Sequence, residues 1–261
     1  MDPTITSLRL GAEPDQRAEP VIQLQDVHKR FGDREVLRGM TFDVEQGKTF
    51  VIMGGSGCGK SVTLKHIIGI IQPTSGSIVV EGKEVPDLDK VGLMTLRRHM
   101  GYLFQSGALI NWLTVFENVA LPLREHTKLT EREIRDKVME AISLVELEHA
   151  IDQLPGRISG GMKKRAGLAR TLVTDPRIVL YDEPNAGLDP VMSEVINRLI
   201  VSVQEKLGVT SVVVTHKRAC AFTCGDVIAL IDQGRVIEMG TQDKMMRSTN
   251  PLVRSFLGAA D

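Results

Sequence analysis

The chain has 261 residues, enough for one large domain or for a domain carrying an inserted lobe. Its 32 Lys and Arg balance 33 Asp and Glu, and it has one Trp and two Tyr, so neither charge nor aromatic content supports a nucleic-acid partner or a surface for stacking single-stranded bases. Three cysteines, Cys58, Cys220 and Cys224, make no disulfide framework and suit a reducing compartment; no apolar run approaches the ~20 residues that span a bilayer.

Residues 1–20 hold Asp2, Glu13, Asp15, Glu19 and three prolines, and read as a flexible leader without the apolar core of a signal peptide. Val21 to Val27 alternates apolar and polar residues, as a half-buried strand does. Val36-Leu37 and Met40 to Val44 read as two further strands, and Gln46-Gly47 as the turn into Thr49-Phe50-Val51-Ile52-Met53, a buried strand. Short turns between these strands predict a small antiparallel sheet beside a parallel core.

Gly54-Gly55-Ser56-Gly57-Cys58-Gly59-Lys60-Ser61 follows that buried strand and fits G-x-x-x-x-G-K-[ST], the P-loop pattern. Glycines let backbone N–H groups turn around phosphate oxygens, and the start of the next helix adds partial positive charge. The helix is expected over Val62 to Ile71. Lys60 is placed to reach the β- and γ-phosphates of ATP, and Ser61 to put its hydroxyl on Mg²⁺. Cys58 falls inside the phosphate cradle, where the helix dipole is expected to favour its thiolate.

Ser77 to Val80 and Met100 to Gln105 read as strands, the second ending on the polar Gln105. From Ser106 the pattern turns helical, and Thr130-Glu131-Arg132-Glu133 is a capping box opening a helix with Ile134, Val138, Ala141 and Val145 on one face. This character lasts to about Thr174, giving an inserted α-helical lobe over 106–174. Ile178 to Tyr181 returns to a buried strand, and Pro190 opens a helix reaching about Leu207. Val209 to Val214 is a strand, and Val227–Ile231 and Arg235–Glu238 form a hairpin through Asp232-Gln233-Gly234. Cys220 and Cys224, spaced i, i+4 with no nearby His, read as small buried hydrophobes rather than metal ligands. The fold class is α/β: a P-loop core with a mostly parallel sheet, an antiparallel β subdomain and the helical lobe. The folded domain is placed at 21–249, with a tail over 250–261.

The strand Ile178–Tyr181 closes on Asp182-Glu183. After a P-loop, an apolar strand ending on Asp places that carboxylate beside the nucleotide, where Asp182 holds Mg²⁺ indirectly and Glu183 can orient or deprotonate the attacking water.

Ile158-Ser159-Gly160-Gly161-Met162 resembles the LSGGQ signature of ATP-binding cassette (ABC) ATPases, and it precedes Asp182-Glu183 as it does there. Asn185-Ala186-Gly187-Leu188-Asp189 is similar to their D-loop, Gln105 to the Q-loop glutamine and Val214-Thr215-His216 to the H-loop, while Phe31 stands where an aromatic stacks on adenine. The resemblance covers about Val21 to Gly240. It implies nucleotide contacts from Phe31, Gly54 to Val62, and Ser159, Gly160, Gly161 and Asp189. It implies catalytic roles for Glu183, His216 and Gln105, and a Mg²⁺ site of Ser61, Gln105 and Asp182. It also implies a head-to-tail homodimer with ATP in the seam. Met162 stands for the usual Gln, Lys217 for the usual Asp, and Cys58 for a small residue, and none of these changes removes a phosphate, metal or water ligand.

The stretch from Gln105-Ser106-Gly107-Ala108-Leu109 to Thr127, and Ser159 to Ala166 with Met162, resemble the ATPases of Mla-type phospholipid transporters, although Ile110 and Trp112 depart from that pattern. This resemblance implies an integral membrane permease, a lipid-binding protein of the mammalian-cell-entry type, and a place on the cytoplasmic face of the inner membrane. The alternative is the ATPase of an ABC importer for a small polar solute. A soluble ABC ATPase of translation or DNA repair would show two cassettes or a long coiled-coil insertion. An inactive cassette would not keep Lys60, Asp182, Glu183 and His216 together.

Overall fold

A computed structural model describes residues 20–258. All but Pro20 of the expected leader lies outside the described residues.

Strands β1 (Pro20–Phe31) and β2 (Arg34–Glu45) pair antiparallel, and β1 also pairs with β4 (Ser75–Val80), which carries the two-residue β5 (Lys83–Glu84). Their order is β2-β1-β4-β5. The two strands expected over 36–44 are one strand, because Gly39 takes φ +85° and lets β2 bend without leaving its partner.

The second sheet holds six strands in the order β10-β9-β3-β8-β7-β6. These are β3 (Thr49–Met53), β6 (Met100–Leu103), β7 (Ile178–Asp182), β8 (Thr210–Thr215), β9 (Val227–Asp232) and β10 (Arg235–Gly240). All pairs are parallel except the β9–β10 hairpin. β3, β7 and β8 are buried at every position, as strands covered on both faces must be. Alternation along them divides the core: Val51, Met53, Val179, Tyr181 and Val213 face one cluster, and Phe50, Ile52, Ile178, Leu180, Val212 and Val214 face the other.

The second cluster lies under the antiparallel sheet, with α1 (Lys60–Ile67) and Leu96 of α2 (Lys90–Arg97). The first is packed by α3 (Val115–His126), α4 (Glu131–Leu144), α5 (Gly160–Leu172), α6 (Pro190–Leu207) and α7 (Arg218–Cys224). After α8 (Gln242–Met246), α9 (Pro251–Gly258) buries Val253 and Leu257 there, so most of the expected tail is packed on the domain. α1 stops short of its expected end because Gly69 takes φ +69° just after it.

Thr130 and Glu133 form the expected reciprocal cap on α4, and Thr114 and Glu117 form a second on α3. The segment expected to turn helical at Ser106 stays irregular until Thr114, and Asn118 explains why. Its buried side chain accepts from Ile110 N (2.7 Å) and donates to the carbonyls of Ile110, Leu113 and Thr114 (3.1, 3.0 and 2.9 Å). A single amide thereby replaces the backbone ladder that this stretch lacks. Replacing Asn118 by Ala orphans several of these groups and should cost about 2–3 kcal/mol in urea unfolding, with an unchanged m-value; a midpoint equal to wild type would contradict the stitching role.

Candidate active site

Parallel strands end together. Met53 pairs with Thr215, Val214 with Asp182, and Tyr181 with Leu103, so the segments after β3, β8, β7 and β6 emerge on one edge of the sheet. That edge brings together the P-loop, His216, Asp182-Glu183 and Gln105.

Within the P-loop the chain turns tightly. A Cβ on Gly54 would fall 2.4 Å from the carbonyl oxygen of Ile231, and Gly59, at φ +108°, delivers the chain into α1. Gly59 offers no side-chain cap, and the first intrahelical bond runs from Thr63 N to Gly59 O at 2.9 Å. The N–H groups of Lys60, Ser61 and Val62 therefore have no partner within the helix and present a site for an anion.

Lys60 is buried and folds back, with Nζ donating to the carbonyls of Gly54 (2.8 Å) and Gly55 (2.9 Å) and lying 3.3 Å from Glu183 Oε1. Glu183 Oε2 is 2.8 Å from Nδ1 of the exposed His216, so one carboxylate is held between two cationic or hydrogen-bonding partners. Its backbone sits at φ +46°, an uncommon value for a side-chain-bearing residue, and its N–H donates to Val214 O at 3.0 Å. Asp182 is buried: Oδ1 accepts from Ser61 Oγ at 2.6 Å and Oδ2 from Tyr102 OH at 2.9 Å. Burial, reinforced by the Asp182 carboxylate, pushes the Tyr102 phenol far above its ordinary range and keeps it a donor.

Lys60, Ser61, Glu183 and His216 line a cleft of about 550 Å³. Ser56, Gly57, Gly59 and Val62 of the P-loop segment line it too, together with Gln105 and Phe31. Phe31 is half exposed, and Lys29 Nζ lies 4.9 Å from its ring centroid. Arg34 and Val36 also line the cleft, and neither stood out in the sequence. Tyr102 was missed too; its signal was a hydroxyl on an otherwise apolar strand next to Gln105.

Oxygen donors Ser61 Oγ and Asp182 Oδ1 meet at 2.6 Å, and among the described residues no basic side chain is hydrogen-bonded to either atom. That donor set fits a hard cation such as Mg²⁺, which takes one or two protein oxygens and completes its shell with phosphate and water.

Ser159, Gly160, Gly161 and Asp189 do not line this cleft. Ser159 caps α5, its Oγ accepting from Met162 N at 3.2 Å, and Asp189 caps α6, its Oδ1 accepting from Met192 N at 2.9 Å. The two helix starts touch, since a Cβ on Gly161 would lie 2.5 Å from Met192 Cε. They form a second, exposed surface of their own. Lys217, the unusual residue after His216, braces it, with Nζ 3.1 Å from Ser193 Oγ and 3.3 Å from Leu188 O.

Cys58 departs from its expected place. It does not line the cleft; it is buried in the cluster beneath the antiparallel sheet, and burial pushes its thiol pKa up. Desolvation of a thiolate outweighs the helix dipole and Lys60 at this position. Cys220 and Cys224 are buried in the opposite cluster, as small hydrophobes are.

A family model described as "ABC transporter" matches residues 37–186. The chain is 41% identical over 236 residues to "Probable ribonucleotide transport ATP-binding protein mkl" of Mycobacterium leprae, covering 90% of this chain and 68% of that protein, so it spans about two thirds of that relative. It is 38% identical over 237 residues to "Intermembrane phospholipid transport system ATP-binding protein MlaF" of Haemophilus influenzae, covering 91% of this chain and 90% of that one. The MlaF of Escherichia coli K12 is 36% identical over 248 residues, covering 95% and 92%. Among solved structures, the dimeric post-hydrolysis cassette MJ0796 bound to ADP and Pi matches with a TM-score of 0.77 at 33% identity, over 84% of this chain and 98% of that one. The cassette cbiO1 of Clostridium perfringens matches with a TM-score of 0.80 at 31% identity, over 90% and 94%.

The burial of Cys58 sets a chemical expectation. An aromatic disulfide reagent should label it at least ~10-fold more slowly in the folded protein than in urea, with or without nucleotide. Rapid stoichiometric labelling of the folded chain would show the thiol to be open to the cleft.

Proposed function

We propose the following mechanism from the premise that this chain belongs to the ABC transporter family and is its ATP-hydrolysing subunit. The observation that carries the mechanism is the shared edge of β3, β7 and β8, where P-loop, carboxylates and His216 meet. Phe31 stacks on the adenine, and the N–H groups of Gly57 to Val62 and the ammonium of Lys60 take the phosphates. Ser61, Asp182 and Gln105 would hold Mg²⁺, which would supply charge neutralisation at the phosphate oxygens. In the present arrangement Lys60 is engaged by Glu183 and two carbonyls. A γ-phosphate competes for that ammonium. Glu183, losing a counter-ion and still held by His216, is then free to accept a hydrogen bond from water and act as general base.

The cleft and the Ser159–Asp189 surface are apart on one chain. A head-to-tail homodimer joins them, with Ser159, Gly160, Gly161 and Asp189 of one copy closing on the nucleotide of the other. The α5 N-terminus supplies N–H groups and dipole to the γ-phosphate. The dimeric state of MJ0796, a structural neighbour, supports this reading.

Among the described residues no helix is long and apolar enough to cross a membrane, so membrane attachment falls to a permease. We assign the docking surface to the groove of about 660 Å³ between β6 and α3, where Phe104, Ala108, Ile110 and Leu123 supply apolar lining and Arg97 and Arg98 a basic rim. Trp112 follows on the adjoining loop, 79% exposed, which suits an interface anchor.

The cargo we infer is phospholipid, moved across a diderm envelope from the cytoplasmic face of the inner membrane with a mammalian-cell-entry-type partner. Support comes from the MlaF relatives, which match nine tenths of both chains, and from the stretch between Gln105 and Thr127. A polar solute is the second reading, favoured by the ribonucleotide transport in the name of the mkl relative.

Glu183→Gln should keep Mg-ATP binding and lower turnover on the order of 10²–10⁴-fold, accumulating an ATP-bound dimer; wild-type turnover would refute the general-base role. For the cargo, the chain and its permease are reconstituted in liposomes with both a fluorescent phospholipid and a labelled ribonucleotide. ATP-dependent phospholipid transfer alone is expected, with Trp112→Ala assembling poorly or hydrolysing ATP without transfer. Ribonucleotide movement without lipid transfer would replace the lipid reading, and normal assembly and transfer by Trp112→Ala would remove the docking assignment.

A further inference from the structure

Lys164 lies in α5, one turn beyond the exposed start of that helix, yet its side chain turns inward and is 5% exposed. Its ammonium donates to the main-chain carbonyl of Gln105 and, at 3.3 Å, to that of Glu183. Burying an ammonium is costly, and here its hydrogen-bond acceptors are neutral carbonyls. The negative field of Asp182 and Glu183 offsets part of that cost without direct pairing. A buried charge kept at this expense on two functional loops is better explained by geometry than by stability.

The surrounding contacts sharpen the point. Arg170, also in α5, donates to the carbonyls of Ala108 (2.8 Å) and Gly107 (3.0 Å). A Cβ on Gly167 would lie 2.9 Å from the Gly107 carbonyl oxygen, so helix and loop are in close contact. The segment after Gln105 is therefore fastened to α5 at several carbonyls, and Lys164 extends the fastening to Glu183. The backbone of Glu183 needs such support: at φ +46° its N–H is held on Val214, and its carbonyl accepts from Ala186 N at 3.0 Å as well as from Lys164, the one side chain that ties it to α5.

We propose that Lys164 is a positioning residue for ATP hydrolysis, setting the backbones of Gln105 and Glu183 together so that a displacement of α5 or of the permease-facing loop reaches the hydrolytic carboxylate through one side chain. This rests on the assignment of Glu183 given above. Lys164 touches no reacting atom in this scheme, so its removal should alter turnover and leave nucleotide binding.

The test uses the full chain assembled with its permease, comparing Lys164→Met, Lys164→Arg and Lys164→Gln with wild type and Glu183→Gln. Lys164→Met should lower kcat at least ~10-fold with KM for ATP within about 2-fold, and Lys164→Arg, which restores charged donors, should recover most of the loss. Lys164→Gln, keeping a neutral donor, should fall between them and serves in place of Met if that variant melts early. Wild-type kcat in Lys164→Met, or in Lys164→Gln where it stands in, overturns the proposal; so does a loss shared equally by kcat and nucleotide affinity, or one that Arg does not relieve. If Glu183→Gln itself turns over normally, the premise fails, whatever the Lys164 variants do.

Discussion

The register of three parallel strands is the constraint on which this molecule depends. β3, β8 and β7 are buried on both faces and pair without a bulge, so their last residues are fixed relative to one another by backbone hydrogen bonds. A loop carrying the P-loop, another carrying Asp182-Glu183 and a third carrying His216 leave those ends. Their mutual distances are inherited from the sheet and need little help from the loops. A one-residue slip of β7 against β8 would turn every side chain to the opposite face and take Asp182 away from Ser61.

Within that frame the charges are arranged so that each has a partner in the present state and a different one available. Lys60 rests on two carbonyls and Glu183; Glu183 also meets His216; Asp182 rests on Ser61 and Tyr102. Keeping buried ions paired avoids the several-kcal/mol penalty of an isolated buried charge. The partners in the cleft are also the groups that phosphate and cation would claim, so exchange of one set for the other involves modest net desolvation.

Much of this was legible in the sequence because it is local. The P-loop follows a five-residue apolar strand, Asp182 closes another, and the capping box at Thr130 is spelled in four residues. The apolar run Phe50-Val51-Ile52-Met53 predicted a buried strand, and the structure shows each parity in its own cluster. What failed was set by tertiary direction. The apolar content of Leu109 to Leu113 mimicked a helix, but Asn118, several residues on, captures the backbone of that stretch. Cys58 sits in a phosphate-binding motif, yet the tight turn aims its thiol into the core. Lys164 reads as one of several basic residues on a helix, and only the fold shows it pointing inward.

The central sheet divides the core in a way that sets how substitutions spread. Val51 and Met53 belong to the side packed by α3 to α7, while Phe50 and Ile52 belong to the side packed by the antiparallel sheet and α1. Neighbouring residues of one strand thus answer to different packing neighbours. A change of side-chain volume at one parity is taken up by the helices, at the other by the antiparallel sheet and α1, and either leaves the register and the opposite face alone. The sheet acts as a bulkhead between two interiors that repack separately.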